Sequence, residues 1–191
     1  SLVSFLNRQK KPLHGMIYAD TWVDVDHLHI GVELAIQYTD SFTETVEPFA
    51  NVVKTSDGGT HVTGLRMALV KSIKDYAVKQ GFLKDAKTDI TGEDLREGLT
   101  AVVFVKMPTN QIQFESQTKT KLNNPEAQKA VYQVAKETID VFLEEHPSDA
   151  RAMMEKVLLA ARARLAARAA KDAVIRKGAL EGAALPGKLA D

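Results

Sequence analysis

Cysteine is absent, which excludes disulfides, thiolate metal sites and cysteine nucleophiles. No apolar run approaches the ~18–20 residues that a membrane-spanning helix requires, so no membrane contact is expected. Ser1 to Lys11 has neither a starting methionine nor the apolar core of a signal peptide. A cytoplasmic setting is compatible with these absences. Net charge is also lacking, with 25 Lys and Arg against 25 Asp and Glu, which argues against an overall basic nucleic-acid binder. Neither GxxxxGK followed by Ser or Thr nor GxGxxG occurs, so no self-contained nucleotide site is visible. The five histidines, at 14, 27, 29, 61 and 146, form no HExxH pattern. His27 and His29 share a strand face and could hold a metal, but read better as two surface histidines.

What is present suits one domain of 191 residues with a helical extension, and the 45% hydrophobic content is enough for a core. The first half has the period of strands. From His27 to Tyr38, Leu28, Ile30, Val32, Leu34, Ile36 and Tyr38 fall on one face and His29, Glu33 and Gln37 on the other. Met16 to Val25 is expected to pair with this strand, joined around Asp26. Glu44 to Val53 is a third candidate whose Pro48 favours an edge or a bulge. After Asp57-Gly58-Gly59, Thr60 is expected to cap a helix running to about Gln80, with Val62, Leu65, Leu69, Ile73 and Tyr76 as its buried stripe and Gly81 as its stop. Lys84 to Ile90 reads as a polar loop. Thr91-Gly92-Glu93-Asp94 resembles a capping box opening a short helical turn, and Leu99 to Met107 an interior strand, apolar on both faces.

The last third is helical. Pro125 suits a first helical turn, and Ala127, Val131, Val134, Val141 and Phe142 form an expected buried stripe. His146-Pro147 breaks that helix. Ser148 is expected to cap the next, running Asp149 to about Lys177, with Gly178 as its stop. Between Lys156 and Lys177 stand seven Lys or Arg against one acid, Asp172, a pattern that fits either a polyanion partner or a solvated helix face. Arg164, Arg168 and Lys171 share one face of this helix. The order β-β-β-α-β-α-α predicts an α+β domain with helices on an antiparallel or mixed sheet.

One loop could carry chemistry. Between Pro108 and Asn124, the segment Phe114-Glu115-Ser116-Gln117-Thr118-Lys119-Thr120-Lys121-Leu122 has few apolar anchors. It offers an amide at Gln117 and compact ammonium groups suited to a terminal phosphate. Taken alone, such a loop is usually just solvated.

Six ordered motifs span nearly the whole chain: Asp57-Gly58-Gly59-Thr60-His61, Gly64-Leu65-Arg66, Thr91 to Leu99, Gln117-Thr118-Lys119, Ala160 to Arg164, and Leu185 to Asp191. With these the chain resembles the B subunits of bacterial type II topoisomerases, gyrase B most of all and topoisomerase IV B next, in the segment called the transducer. The resemblance implies a ribosomal protein S5 domain 2-like fold with a left-handed crossover. It implies a core at 1–147, a long connector helix at 148–178 and a linker at 179–191. The implied neighbours are an upstream GHKL ATPase domain and a downstream TOPRIM domain, with the gyrase A subunit, duplex DNA and a second B subunit as further partners. Gln117 and Lys119 match the family's QTK loop, so they are expected to reach the γ-phosphate of ATP. Lys119 would have the catalytic part of stabilising charge on the transferring phosphoryl group. Arg66 matches an arginine facing a DNA cavity, and Arg164, Arg168 and Lys171 are further candidates for DNA phosphates. Arg96, in the capped turn, is not counted among them. The segment Pro108 to Gln113 is longer than the family's usual Pro-Asp-Pro. The ATPase motifs and TOPRIM acids are absent from the 191 residues, so ATP and Mg²⁺ are expected to be held outside them and no cofactor by this chain alone. A stand-alone nucleic-acid-binding module is the alternative resting on the basic helix.

Overall fold

The computed structural model describes residues 1–83 and 89–184. A short helix α1 (Leu2–Leu6) is followed by strands β1 (Ile17–Val25), β2 (Leu28–Tyr38), β3 (Thr45–Ala50) and β4 (Val53–Lys54). Helix α2 (Thr60–Lys79), strand β5 (Leu99–Lys106) and helices α3 (Pro125–Glu145) and α4 (Pro147–Ala184) complete the chain. The class is α+β, as the element order predicts. The five strands lie in the order β1-β2-β5-β3-β4.

The hairpin β1–β2 turns at Asp26 and His27, whose φ angles of 49° and 69° give two consecutive left-handed residues. That backbone twist matches the right-handed twist of the flanking strands. The register runs from Ile17 opposite Ile36 to Val25 opposite Leu28. β5 runs antiparallel to β2 and parallel to β3. Pro48 lies in β3 one residue before the short stretch that pairs with β4, where a missing N–H is tolerated.

Inward residues of β2 and β5, among them Ile30, Leu34, Ile36, Ala101 and Val103, form one core with Leu65, Leu69 and Ile73 of α2 and Val131, Val134 and Ile139 of α3. The other sheet face is not wholly solvated. Val3 of α1 buries against Ala35 and Val102 there, with Phe49 and Phe104 stacked beside them at 4.4 Å. β2 is therefore enclosed on both faces over its second half, where alternation predicts a half-buried strand. The polar Gln37 on that second face accepts from Asn7 Nδ2 (2.9 Å) and donates to His14 O (3.0 Å), while Thr100 Oγ1 donates to Asn7 Oδ1 (2.7 Å). Burial without such partners would be costly.

Several boundaries differ from expectation. Gly59, not Thr60, occupies the N-cap of α2, without a side-chain cap bond, and Thr60 Oγ1 is buried and unpartnered among the described residues. The expected helical turn after Thr91 is present as successive turns over residues 92–98, with Asp94 N, Leu95 N and Arg96 N donating to Thr91 O, Gly92 O and Glu93 O, and Asp94 Oδ2 accepts from Thr91 N at 2.9 Å as a capping box does. Val141 is 49% exposed, and Ile139 and Leu143 take its place in the core. α4 starts at Pro147, which puts Ser148 inside its first turn, and continues through Gly178 to Ala184. A solitary glycine costs a helix about 1 kcal/mol, too little to stop one flanked by Ala, Leu, Arg and Lys. Much of the expected loop Lys84 to Ile90 lies outside the described residues.

Two histidines are buried as neutral rings. His14 Nε2 accepts from Tyr38 N at 2.8 Å, which leaves the proton on Nδ1 for Gly15 O; burial lowers its pKa. His61 is fully buried with Nε2 at 2.9 Å from Thr55 Oγ1, and burial lowers its pKa to about 4. The unfolded chain therefore binds more protons than the native one below pH 6.5. Stability is expected to fall as pH drops from about 6.5 to about 4, with His61 accounting for ~3 kcal/mol at the acidic end. Urea midpoints at pH 7.5 and 5.0 check this: His61→Gln should flatten the difference, and an unchanged difference would exclude His61 as its source.

Candidate functional site

The candidate loop leaves β5 at Met107 and returns to α3 at Asn124. Asn124 organises its entrance, donating from Nδ2 to Gln111 O (2.8 Å) and accepting on Oδ1 from Gln113 N (2.6 Å). Phe114 and Leu122 then pair in an antiparallel bridge, with Glu115 N donating to Lys121 O at 2.9 Å. The result is a small hairpin with its turn at residues 116–120.

The base of the hairpin is fixed to the start of α2. Leu122 N donates to Gly58 O and Thr60 N donates to Leu122 O, both at 3.1 Å, and Asp57 N donates to Thr120 O at 2.9 Å. The approach is so close that a Cβ on Gly59 would stand 2.3 Å from Leu122 O, and Gly59 has a φ of 133°. Both facts require glycine there.

The tip is held only by short-range contacts. Ser116, Thr118 and Thr120 hydroxyls form a ladder at 2.6 and 3.2 Å, and Lys119 N donates to Ser116 O at 3.1 Å. Lys119 has a φ of 55°, uncommon for a residue with a side chain and a sign that the turn, not intrinsic preference, sets its conformation. Gln117 and Lys119 are both exposed, and neither side chain has a partner among the described residues. Lys121, by contrast, pairs with Glu115 at 2.8 Å, and that hydrogen bond raises its pKa. Lys119 is thus the uncommitted ammonium of the hairpin.

A groove of about 620 Å³ lies beside the hairpin, between β3 and α2, lined by residues including Glu44, Thr60, Thr63, Arg66, Glu115 and Lys121. Arg66 reaches it, but its Nη2 is bound to Glu44 Oε1. Arg164 is also engaged: Nε donates to Asp94 Oδ1 at 2.9 Å and Nη2 to Asp94 Oδ2 at 3.2 Å. Arg168 and Lys171 stand on the fully exposed part of α4. The structure therefore presents Gln117 and Lys119 on one tip, leaves Arg168 and Lys171 on the exposed part of α4, and gives Arg66 and Arg164 acidic partners. Glu44 and Asp94 escaped the sequence reading. Only the capping-box pattern at Asp94 signalled anything, and it pointed to a local role. Among the described residues no cluster of His, Asp or Glu is arranged to hold a metal ion.

This fold has solved counterparts among type II topoisomerases. The chain is similar to the 43K ATPase domain of Thermus thermophilus gyrase B, solved with an aminocoumarin, at 38% identity and a TM-score of 0.76 over 90% of this chain and 44% of that one. It is also similar to the topoisomerase IV ATP-binding domain of Francisella tularensis, at 26% identity and a TM-score of 0.72, covering 86% of this chain and 43% of that one.

A family model described as DNA gyrase B matches residues 1–173, and the chain belongs to that family. It is 47% identical over its full length to the DNA gyrase B protein of Bacillus mycoides and 45% identical to that of Clostridium acetobutylicum. It spans about half (46%) of the first of these relatives and 29% of the second.

The hairpin's dependence on Gly59 is testable. Gly59→Ala should detach the hairpin base from α2 and speed tryptic cleavage after Lys119 and Lys121 at least tenfold, while the circular dichroism of the core persists. Unchanged cleavage would show that the Gly59–Leu122 contact does not hold the loop.

Proposed function

We propose that the chain is the transducer segment of a gyrase B protein, which couples ATP binding and hydrolysis to DNA strand passage and supercoiling. The observation that carries this reading is the Gln117–Lys119 tip: exposed, uncommitted and presented on a hairpin fixed to α2, in a chain of the DNA gyrase B family. In this reading ATP and Mg²⁺ are held by an upstream GHKL ATPase domain, and Gln117 and Lys119 reach across to the γ-phosphate. Lysine suits that task because its ammonium is a compact charge with three donors. As phosphoryl transfer spreads charge over the γ-phosphate oxygens, Lys119 stabilises it. Loss of the γ-phosphate removes the anchor and releases the tip, an order–disorder step that can drive rigid-body motion.

The remaining partners follow from the same reading: a TOPRIM domain downstream, the gyrase A subunit, duplex DNA and a second gyrase B protein, in the cytoplasm. The proposed division into core (1–147), connector (148–178) and linker (179–191) shifts in one respect: the helix is continuous from Pro147 to Ala184, so 179–184 join the connector, and 185–191 lie outside the described residues. Arg168 and Lys171 are the basic residues best placed to meet DNA phosphates. Arg66 would do so only while sharing its guanidinium with Glu44.

In the parent protein, Lys119→Ala should lower ATP turnover at least tenfold while nucleotide binding largely survives. Steady-state ATPase assays and a nucleotide titration separate the two, and unchanged turnover would refute the assigned role. The isolated 191 residues should show neither ATPase nor supercoiling activity.

A further inference from the structure

Arg164 shares a helix face with Arg168 and Lys171, yet it is engaged differently from both. Its guanidinium forks onto Asp94, and Nη2 donates further to Asp89 O at 2.8 Å. The Asp94 side chain is 2% exposed. Its Oδ2 also accepts from Thr91 N and Thr91 Oγ1. A forked pair on a buried carboxylate fixes direction as well as distance.

Its position on α4 gives the pair significance. Ala150, Met153, Met154, Val157, Leu158, Ala160 and Ala161 bury one side of the helix against the body. Arg164 is the last tie, and residues 166–183 are all exposed. From Arg164 to Ala184 the bare helix is about 30 Å long, at 1.5 Å per residue, so a tilt of about 10° at Arg164 would move its end by about 5 Å.

The 91–98 turn that holds Arg164 is itself bound to the rest of the body. Tyr38 Oη donates to Leu95 O at 2.7 Å and Thr39 N to Gly98 O at 2.9 Å. Gly98 has a φ of 76°, and a Cβ there would lie 2.4 Å from Thr39 O. On the α2 side, Arg96 Nε is 4.0 Å from Glu44 Oε2, while Glu44 Oε1 holds Arg66. A series of contacts therefore runs from the hairpin at Leu122 to Gly59 and α2 and through Arg66 to Glu44, reaches the turn across the 4.0 Å Glu44–Arg96 charge pair, which has no hydrogen bond, and continues from Asp94 to Arg164.

We propose that the 91–98 turn is the joint through which α2 steers α4, and that Arg164 is a positioning residue of that joint rather than a DNA contact. The proposal rests on the transducer reading for its purpose, but the joint itself is a property of this chain. Contiguity alone does not demonstrate coupling, so the test must measure it.

The absence of cysteine allows clean labelling. Spin labels at Val52→Cys, on the body, and Ile175→Cys, on the bare helix, report the helix direction as a distance distribution. Arg164→Gln should at least double its width, and adding Asp94→Asn should widen it no further. An unchanged width overturns the joint. Arg164→Lys keeps the charge but loses the fork, and it carries the test where Arg164→Gln fails to fold. In the parent protein assembled with gyrase A, Arg164→Lys should lower supercoils introduced per ATP at least fivefold, with ATP turnover within twofold and the salt slope of DNA binding unchanged. Intact coupling overturns the proposal. So does Arg164→Gln reducing the salt slope by about one, as loss of a phosphate contact would. Unchanged ATP turnover in Lys119→Ala would sink the transducer reading while leaving the label distances to judge the joint.

Discussion

Strand β5 has partners along both edges, antiparallel β2 on one side and parallel β3 on the other, and it is buried on nearly every residue from Leu99 to Val105. A strand enclosed in this way has no freedom of register: a one-residue slip would turn Ala101, Val103 and Val105 out of the core and break two ladders at once. Both segments to which a role is proposed hang from its ends. The 91–98 turn leads into it at Leu99, and the Lys119 hairpin departs beyond Lys106. At about 3.3 Å per residue, β5 itself runs roughly 25 Å between the two points of attachment.

The hairpin divides its rigidity unevenly. Its base shares backbone hydrogen bonds with the start of α2, where glycine allows the two chains to touch. Its tip has only neighbouring hydroxyls and one tight turn. Charge is divided in the same way, since Glu115 neutralises Lys121 at the base while Lys119 stands alone at the tip. In the proposed role, a ligand of negative charge would meet an adaptable cation on a base that is fixed to a 20-residue helix. The local electrostatics at Lys119 and the packing at Gly59 are two halves of one device.

Local pattern made much of this visible in the sequence. The strands β1 and β2 joined around Asp26, the apolar run of β5 and the break at His146-Pro147 are short-range signals, and the structure bears them out. The sheet order was not legible, because β5 enters between β2 and β3 from more than fifty residues away. Val141 failed as a core residue because helical spacing fits two adjacent faces of α3, and only the sheet decides between them. Arg164 had the spacing of a basic face, but its carboxylate partner lies 70 residues earlier. Gly178 obeyed a local stop rule that the surrounding helix formers outweighed. The tip's link to a phosphate came from resemblance alone, since an exposed lysine in a polar loop has no periodicity to betray it.

The composition of α4 follows from having to remain helical without neighbours. Beyond Leu165 no core supports it, and an isolated helix of this length is marginal in water because its first turn is costly to form. Here the docked residues from Ala150 to Ala161 supply that turn, so the bare part needs only to propagate. Alanine and arginine, both strong helix formers, propagate well without packing. The like charges of Arg164, Arg168 and Lys171 repel slightly along one face, and Asp94 removes that repulsion at the first of them. Among the described residues the remaining cations have no acidic partner, and the stretch 166–183 is exposed throughout. Its direction is then set almost entirely where it leaves the body, at the Asp94–Arg164 fork.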